Sequence, residues 1–390
     1  MGMIAFFPWL LLREPVQVGP FQLFRHSTGQ PLPDGISDSV PLEDLKRLLT
    51  PYRVHVQHEE RARCVLRYGE LSVGDELDGQ ARSAVFRFAR HLAVAGLATR
   101  RFEGSVLGSY SASGHYQVVI QQFPTPFTGS VVARHRRKDG DGETRVLISA
   151  GAQNFQIPEH LDLVGQAQPS IDLPLLHALE TAHEKLDAKL WGPYEASITQ
   201  FLVANGDSPD VPLDAESIAT YAALERLVDA DHKKPDFVNR VAACLAEVDG
   251  AVWASDLRAE LLSNQAPRDV VTAWLEGLYS LRGNAGHGYP VSKLRNATWS
   301  QHEHLLAGAF VYPLALKCKL QRADYYRLTS QDVVDIVGLD LLLGDRPFFA
   351  ASDPSGLDAG GIPQGGWPRQ MEVLSEAGGS YELSRYTGNA

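Results

Sequence analysis

Cysteine is scarce in this chain: Cys64, Cys244 and Cys318 are odd in number, far apart and form no Cys-x-x-Cys pair. That excludes a disulfide scaffold and a zinc ribbon, and it is the cysteine usage of a reducing compartment. Long apolar runs are missing too. No stretch approaches the roughly 18 residues needed to span a bilayer. The apolar start, Met3 to Leu12, is interrupted by Pro8 and has neither a basic leader nor a small-residue cleavage site, so it reads as a strand. A cytoplasmic protein without a membrane partner is the expectation. Nor is there a GxxxxGK[S/T] loop, a GxGxxG after a strand, or a GxSxG elbow, which removes the usual grounds for nucleotide hydrolysis or dinucleotide binding. His302-Glu303-His304 lacks the i, i+4 histidine spacing of a helical zinc pair, and His55 and His58 stand three apart on a strand pattern. No cofactor and no metal are expected.

Excess positive charge is a further absence. The net charge is −11, and residues 166–390 hold 30 of the 47 Asp and Glu while residues 1–165 are close to neutral. Bulk electrostatics will not draw such a chain onto nucleic acid. Any RNA contact must come from local arginine clusters or from a cleft formed on dimerisation. The densest basic run is Arg134-His135-Arg136-Arg137-Lys138. It reads either as a solvated hairpin tip or as a finger in which Arg134, Arg136, Arg137 and Lys138 touch phosphates.

What is present is a globular composition over 390 residues, with 44% hydrophobic and 21% charged side chains, long enough for two domains. Residues 1–165 are β-rich. Strand patterns cover Ile4–Leu12, Phe21–Phe24, Arg53–Gln57, Cys64–Tyr68, Tyr116–Phe123, Ser130–Arg134 and Thr144–Ser149, the last two flanking the turn sequence Lys138-Asp139-Gly140-Asp141-Gly142. Ala81–Leu97 has a helical stripe. Around Gln166–Pro174 the apolar period changes from two to 3.6. The following helices are expected to be broken at Gly192-Pro193, stopped at Asn205-Gly206, and capped afresh at Asp214. Further helices cover Phe237–Val248, 267–287, Ser300–Leu320 and Asp332–Leu343. Residues 166–345 thus form a helical bundle, and 346–390, rich in Gly, Ser and Pro, read as a flexible tail. The fold class is α+β, a β-rich N-terminal domain followed by an all-α bundle.

One hexapeptide carries chemistry: Arg282-Gly283-Asn284-Ala285-Gly286-His287. An Arg followed five positions on by His occurs twice in the chain, about as often as chance provides, so context decides. Arg53/His58 lies on an alternating strand pattern that points the two to opposite faces. Arg282 instead falls on the stripe Val271, Trp274, Leu275, Leu278, Arg282, Ala285, and Gly286, Gly288 and Pro290 mark the helix end. An arginine near a buried face needs a negative partner or ligand. His287 lies about 140° further round an ideal helix. The alternative is structural, with Arg282 paired to a core carboxylate and His287 capping the helix C-terminus.

Tyr221-Ala222-Ala223-Leu224-Glu225-Arg226-Leu227, followed some fifty residues later by Leu278-Tyr279-Ser280-Leu281-Arg282-Gly283-Asn284-Ala285-Gly286-His287-Gly288, resembles the HEPN superfamily, particularly its Apea-like branch. The likeness covers roughly residues 175–325. It implies a bundle of four to five helices that homodimerises so that two Arg-x4-His motifs face one cleft. It implies a metal-independent endoribonuclease of bacterial antiviral defence, abortive infection or toxin–antitoxin type, with RNA as substrate and an antitoxin or phage-derived trigger as partner. Residues 1–165 would sense or recruit a target. By position, Arg282 and His287 are the catalytic pair, with Glu225, Tyr279 and Asn284 in support. Tyr289 occupies the place of a tyrosine that, in some members, a nucleotidyltransferase antitoxin adenylylates. Active members usually carry Asn, Asp or His directly after the Arg; here that position is Gly283. Non-catalytic members exist, so a dimerisation or RNA-binding scaffold is the other reading.

The chemistry would be that of RNA's own 2′-OH. It needs a base for that proton, an acid for the 5′-oxygen, and a cation for the phosphorane charge. An imidazole suits the first two roles. A guanidinium suits the third, because its planar fork binds two phosphate oxygens.

Overall fold

The computed structural model describes residues 3–27, 45–46, 49, 63–71, 73, 75–102, 111–122, 129–134, 143–148, 169–208, 210–246, 270–288, 298–346, 348 and 366–387. The chain has an α+β fold in two compact units. One comprises Met1–Gly96 with Leu107–Asp172, the other Leu97–Val106 with Leu173–Ala390. The main division falls at Asp172/Leu173. Periodicity gave no sign that Leu97–Val106 belongs with the helices.

The first unit is a seven-stranded sheet in the order β2-β3-β4-β1-β5-β6-β7. Its strands are β1 (Met3–Phe7), β2 (Val16–Val18), β3 (Phe21–His26), β4 (Arg63–Tyr68), β5 (Val119–Gln122), β6 (Gly129–Arg134) and β7 (Glu143–Ile148). Every neighbouring pair is antiparallel. All five residues of central β1 are buried, because both sheet faces are covered. Ile4, Phe6, Phe24 and Val65 point to one face and join Trp9, Leu45, Leu49 and Val73 in a core cluster. Phe21 points to the other, where Phe88 of α1 (Gly79–Leu97) stacks on it with ring centroids 4.2 Å apart. The strands differ from expectation in several places, and β3 runs on to His26 rather than stopping at Phe24. The first strand stops at Phe7, before Pro8, rather than running on to Leu12. Val16–Val18 forms a short strand folded onto β3 about Gly19, whose φ is +53°. Ser113–Tyr116 is a 3-10 turn, so β5 starts at Val119. The expected strand at Arg53–Gln57 lies outside the described residues. Strands β6 and β7 pair from Gly129↔Ile148 to Arg134↔Glu143.

The second unit contains α2 (Leu173–Lys185), α3 (Ala188–Ala204), α4 (Leu213–Val228), α5 (Lys234–Ala246), α6 (Val270–Gly286), α7 (Gln301–Arg322), α8 (Ser330–Val337), α9 (Leu339–Gly344) and α10 (Gly366–Thr387). Helix α4 packs against α3, α5, α6 and α7, and its residues 219–221, 223–225 and 227 are all buried. Two glycines set the closeness of this core. A Cβ on Gly308 of α7 would overlap the Thr220 methyl of α4, and one on Gly277 of α6 would come within 2.9 Å of the His304 ring.

Three expectations for this half are corrected. The break between the first two helices falls at Leu186-Asp187, not at Gly192-Pro193. Asp187 supplies the N-cap, its carboxylate accepting from Leu190 N–H at 2.9 Å, and Pro193 lies early in α3, where it costs one helical hydrogen bond. The cap of α4 is Pro212 rather than Asp214. Asp214 sits in the first turn, favoured by the helix dipole, and accepts from Gln301 at 2.9 Å. The segment expected to be a flexible tail contains α10, whose Trp367, Met371 and Leu374 are fully buried. Among the described residues, no helix is long and apolar enough to cross a membrane.

Candidate functional site

The site begins with the way α4 ends. Asp229 adopts a left-handed conformation (φ 54°, ψ 49°), and Ala230 N–H donates back to Glu225 O at 3.1 Å. This reverses the chain. His232, itself at φ 37°, is thereby returned over the last turn of α4. There its Nδ1 lies 2.8 Å from Glu225 Oε1. The same carboxylate oxygen accepts from the Tyr221 hydroxyl at 2.6 Å. Glu225 is buried, whereas the His232 side chain is 79% exposed. The buried carboxylate thus has two partners, and the imidazole is held by one edge with the other open to water.

Helix α6 closes the site from the other side. Trp274, Leu275, Leu278 and Leu281 form its fully buried face, so the apolar stripe runs through Leu281 and leaves Arg282 half-buried at its margin. Tyr279 donates from its hydroxyl to His232 O at 3.1 Å and meets Tyr221 edge-on, ring centroids 5.7 Å apart. Phe237 of α5 packs against Tyr221 at 4.6 Å. The Arg282 guanidinium lies over this aromatic group, 4.9 Å from the Tyr221 ring centroid and 5.9 Å from that of Tyr279. These cation–π contacts are its interactions among the described residues. Among the described residues no carboxylate pairs with it, so the structural alternative of a core ion pair for Arg282 is not realised among them.

Burial holds the Tyr221 phenol well above its ordinary pKa. The Glu225 hydrogen bond and charge push the same way, and Arg282 opposes them. Tyr221 therefore remains a protonated donor that fixes Glu225 while its ring face fixes Arg282.

The end of α6 is a helix cap. His287 N–H donates to Gly283 O and Asn284 O at 3.1 and 3.2 Å, and Gly288 follows at φ +68°. His287 is exposed and Asn284 half-buried. Gly283 faces open space, with nothing within 4 Å of where a Cβ would be. A side chain there would be accommodated.

Of the residues singled out in the sequence, Glu225, Tyr279 and Arg282 meet in one cluster. Asn284 and His287 stand at the adjoining helix end. Tyr289, Arg136, Arg137 and Lys138 lie outside the described residues, and Arg134 is the last residue of β6. His302-Glu303-His304 is divided between three tasks. Glu303 completes a capping box with Ser300 and pairs with Arg346 at 2.6 Å, His304 is buried, and His302 is exposed. Among the described residues, no group of three or more His, Cys, Asp or Glu could hold a metal ion. Spacing did not find His232. Its seven-residue separation from Glu225 looks like two helical turns, and only the left-handed Asp229 makes it a contact. The polar stretch Asp231-His232-Lys233-Lys234 followed by Pro235 marks a turn in the sequence without fixing that contact.

The cluster defines an arrangement of a half-buried guanidinium, a carboxylate-held imidazole and a second, exposed imidazole. No family model, no curated protein and no solved structure matches the chain.

Proposed function

We propose that the helical unit is a metal-independent endoribonuclease of HEPN type, acting as a homodimer in bacterial defence or a toxin–antitoxin pair, with its partner or trigger met through the β-rich unit. One observation carries this reading: Arg282 is half-buried on tyrosine faces with no carboxylate partner among the described residues. A guanidinium has five N–H donors and a charge that cannot be shed. Set against a partly desolvated aromatic wall, its planar fork binds two oxygens of a phosphate more strongly than it would in open water. His287 at the end of the same helix supplies an imidazole for proton transfer at the scissile phosphate.

The test is incubation of purified wild type, Arg282→Ala and His287→Ala with bulk RNA and tRNA in EDTA. Wild type should cleave to 2′,3′-cyclic phosphate ends. Each variant should lose at least about 100-fold, the scale of one acid–base or charge-stabilising group. A requirement for divalent metal, cleavage of DNA, or a fully active His287→Ala would overturn the reading.

The non-catalytic scaffold is favoured by one observation, Gly283 in place of a polar side chain beside Arg282. On that reading RNA binds and wild type leaves it intact.

A further inference from the structure

Resting on the ribonuclease reading, we infer that His232, held by Glu225, is the general base of the reaction, and that a single protomer carries both proton-transfer groups. The argument starts from the stereochemistry of transesterification. The 2′-oxygen attacks phosphorus in line with the departing 5′-oxygen, so base and acid must stand on opposite sides of the cation that holds the phosphate. Along α6, Arg282 has this flanking. Three residues before it, the Tyr279 hydroxyl donates to the His232 backbone carbonyl at 3.1 Å. Five residues after it stands the exposed His287. His232 is therefore docked at Tyr279, one turn before Arg282 on α6, and His287 stands at the C-terminal end of the same helix, beyond Arg282 along its axis.

The His232 ring is arranged as a proton acceptor needs to be. Nδ1 lies 2.8 Å from buried Glu225 Oε1. The carboxylate can only accept, so Nδ1 carries the hydrogen and Nε2 is left with a lone pair. The ring is 79% exposed, so Nε2 faces solvent and incoming substrate. A carboxylate orienting an imidazole is how general bases are held in tautomer and direction. Here the carboxylate is in turn fixed by the Tyr221 hydroxyl at 2.6 Å, and the Tyr221 ring supports Arg282 at 4.9 Å. Base and phosphate cation are thus set on one side chain. An imidazole serving only to cap a helix turn needs none of this, and the left-handed backbone at His232 (φ 37°) is strain that an Asn or Gly would carry more cheaply.

In the step itself, Nε2 of His232 takes the 2′-OH proton while the 2′-oxygen bonds to phosphorus. The bond from phosphorus to the 5′-oxygen breaks, and His287 returns a proton to that oxygen. One proton is taken and one given, and the product is a 2′,3′-cyclic phosphate with a free 5′-OH.

The experiment is single-turnover cleavage in EDTA by wild type, His232→Asn, Glu225→Gln and His287→Ala. Each is given an RNA with a normal linkage and one whose 5′-bridging oxygen is sulfur, a leaving group that needs no acid. Asn tolerates the left-handed backbone and its amide can still donate to Glu225, so His232→Asn folds like wild type in a thermal melt. It should lose about 100-fold or more in kcat on both substrates, with KM little changed. His287→Ala should recover on the sulfur substrate. Glu225→Gln should repeat the His232→Asn signature more weakly, which a packing role would not produce. Wild-type activity in His232→Asn, or its rescue by sulfur, overturns the assignment while leaving the ribonuclease reading in place. An inert wild type ends both.

Discussion

At the scale of single residues, His304 shows what the bundle core demands. It sits between Trp274 and Trp299, ring centroids 6.0 Å from each. Its Nδ1 is buried without a hydrogen-bond partner among the described residues. Burial pushes its pKa down to about 4; Glu303 pulls it up and Arg346 adds to the lowering. The folded value lies below the unfolded 6.5, so the unfolded chain binds the extra proton between the two. The contribution is intact above pH 6.5 and is lost as pH falls towards 4, by up to about 3 kcal/mol at the usual cost per unit. Glu216 works in the opposite sense. Burial, with Asp207 adding, raises it to about 7, so it costs stability as pH rises from 4.5 to 7. Comparing variants isolates His304. His304→Leu should be the less stable chain at pH 7.5, where the space was shaped by an imidazole, and its deficit should shrink by about 2 kcal/mol by pH 4.5. Urea unfolding at the two pH values measures this. A deficit that stays constant would mean that the histidine titrates alike folded and unfolded.

At the scale of elements, the close helix crossings are set by glycine rather than by large side chains. Gly308 lets α7 approach α4 until Thr220 fills the space of its missing Cβ. Gly308→Ala should therefore destabilise by roughly 1–3 kcal/mol, the usual cost of forcing a methyl into a filled core. Gly283→Ala on α6 is the contrast. Its Cβ meets nothing within 4 Å, and the change should stabilise by up to about 1 kcal/mol through helix propensity alone. Denaturant melts of the pair give the signs, and equal shifts would sink the distinction. This scale also shows what could be read beforehand. Helix α6 was legible because Trp274, Leu275 and Leu278 recur at helical steps, and so was Arg282 near its buried side. The register was off by one residue, because Leu281 and Arg282 both fit a broad stripe and only the packed core chooses Leu281. The β6–β7 pair was legible from its turn sequence. The Glu225–His232 contact was not, since it depends on a left-handed residue that periodicity does not encode. The cap of α4 was misplaced because an Asp in the first turn and an Asp at the cap look alike in sequence.

At the scale of the whole chain, composition misled most at the C-terminus. The stretch after residue 345 is rich in Gly, Ser and Pro, the mark of a segment with too little apolar surface to fold by itself. Yet Trp367, Met371 and Leu374 stand at i, i+4 and i+7, and α10 does not fold by itself. It folds onto the other helices of its unit. Trp367 meets Phe310 edge-on at 5.5 Å and Phe348 at 4.9 Å, and its indole N–H donates to Arg101 O at 3.2 Å. Leu374 fills the space above Gly338, between α8 and α9. Asp345 receives both Gly366 N–H at 3.1 Å and the Gln370 amide at 2.7 Å. These contacts make α10 part of the helical core rather than an appendage. Trp367→Ala should accordingly cost about 3–5 kcal/mol, as deletion of a buried tryptophan does. A chain ending before Gly366 should be destabilised by at least as much, with Phe310 and Phe348 exposed. A dispensable tail would leave both melting curves where wild type has them, and calorimetry of the three proteins at one pH decides between these outcomes.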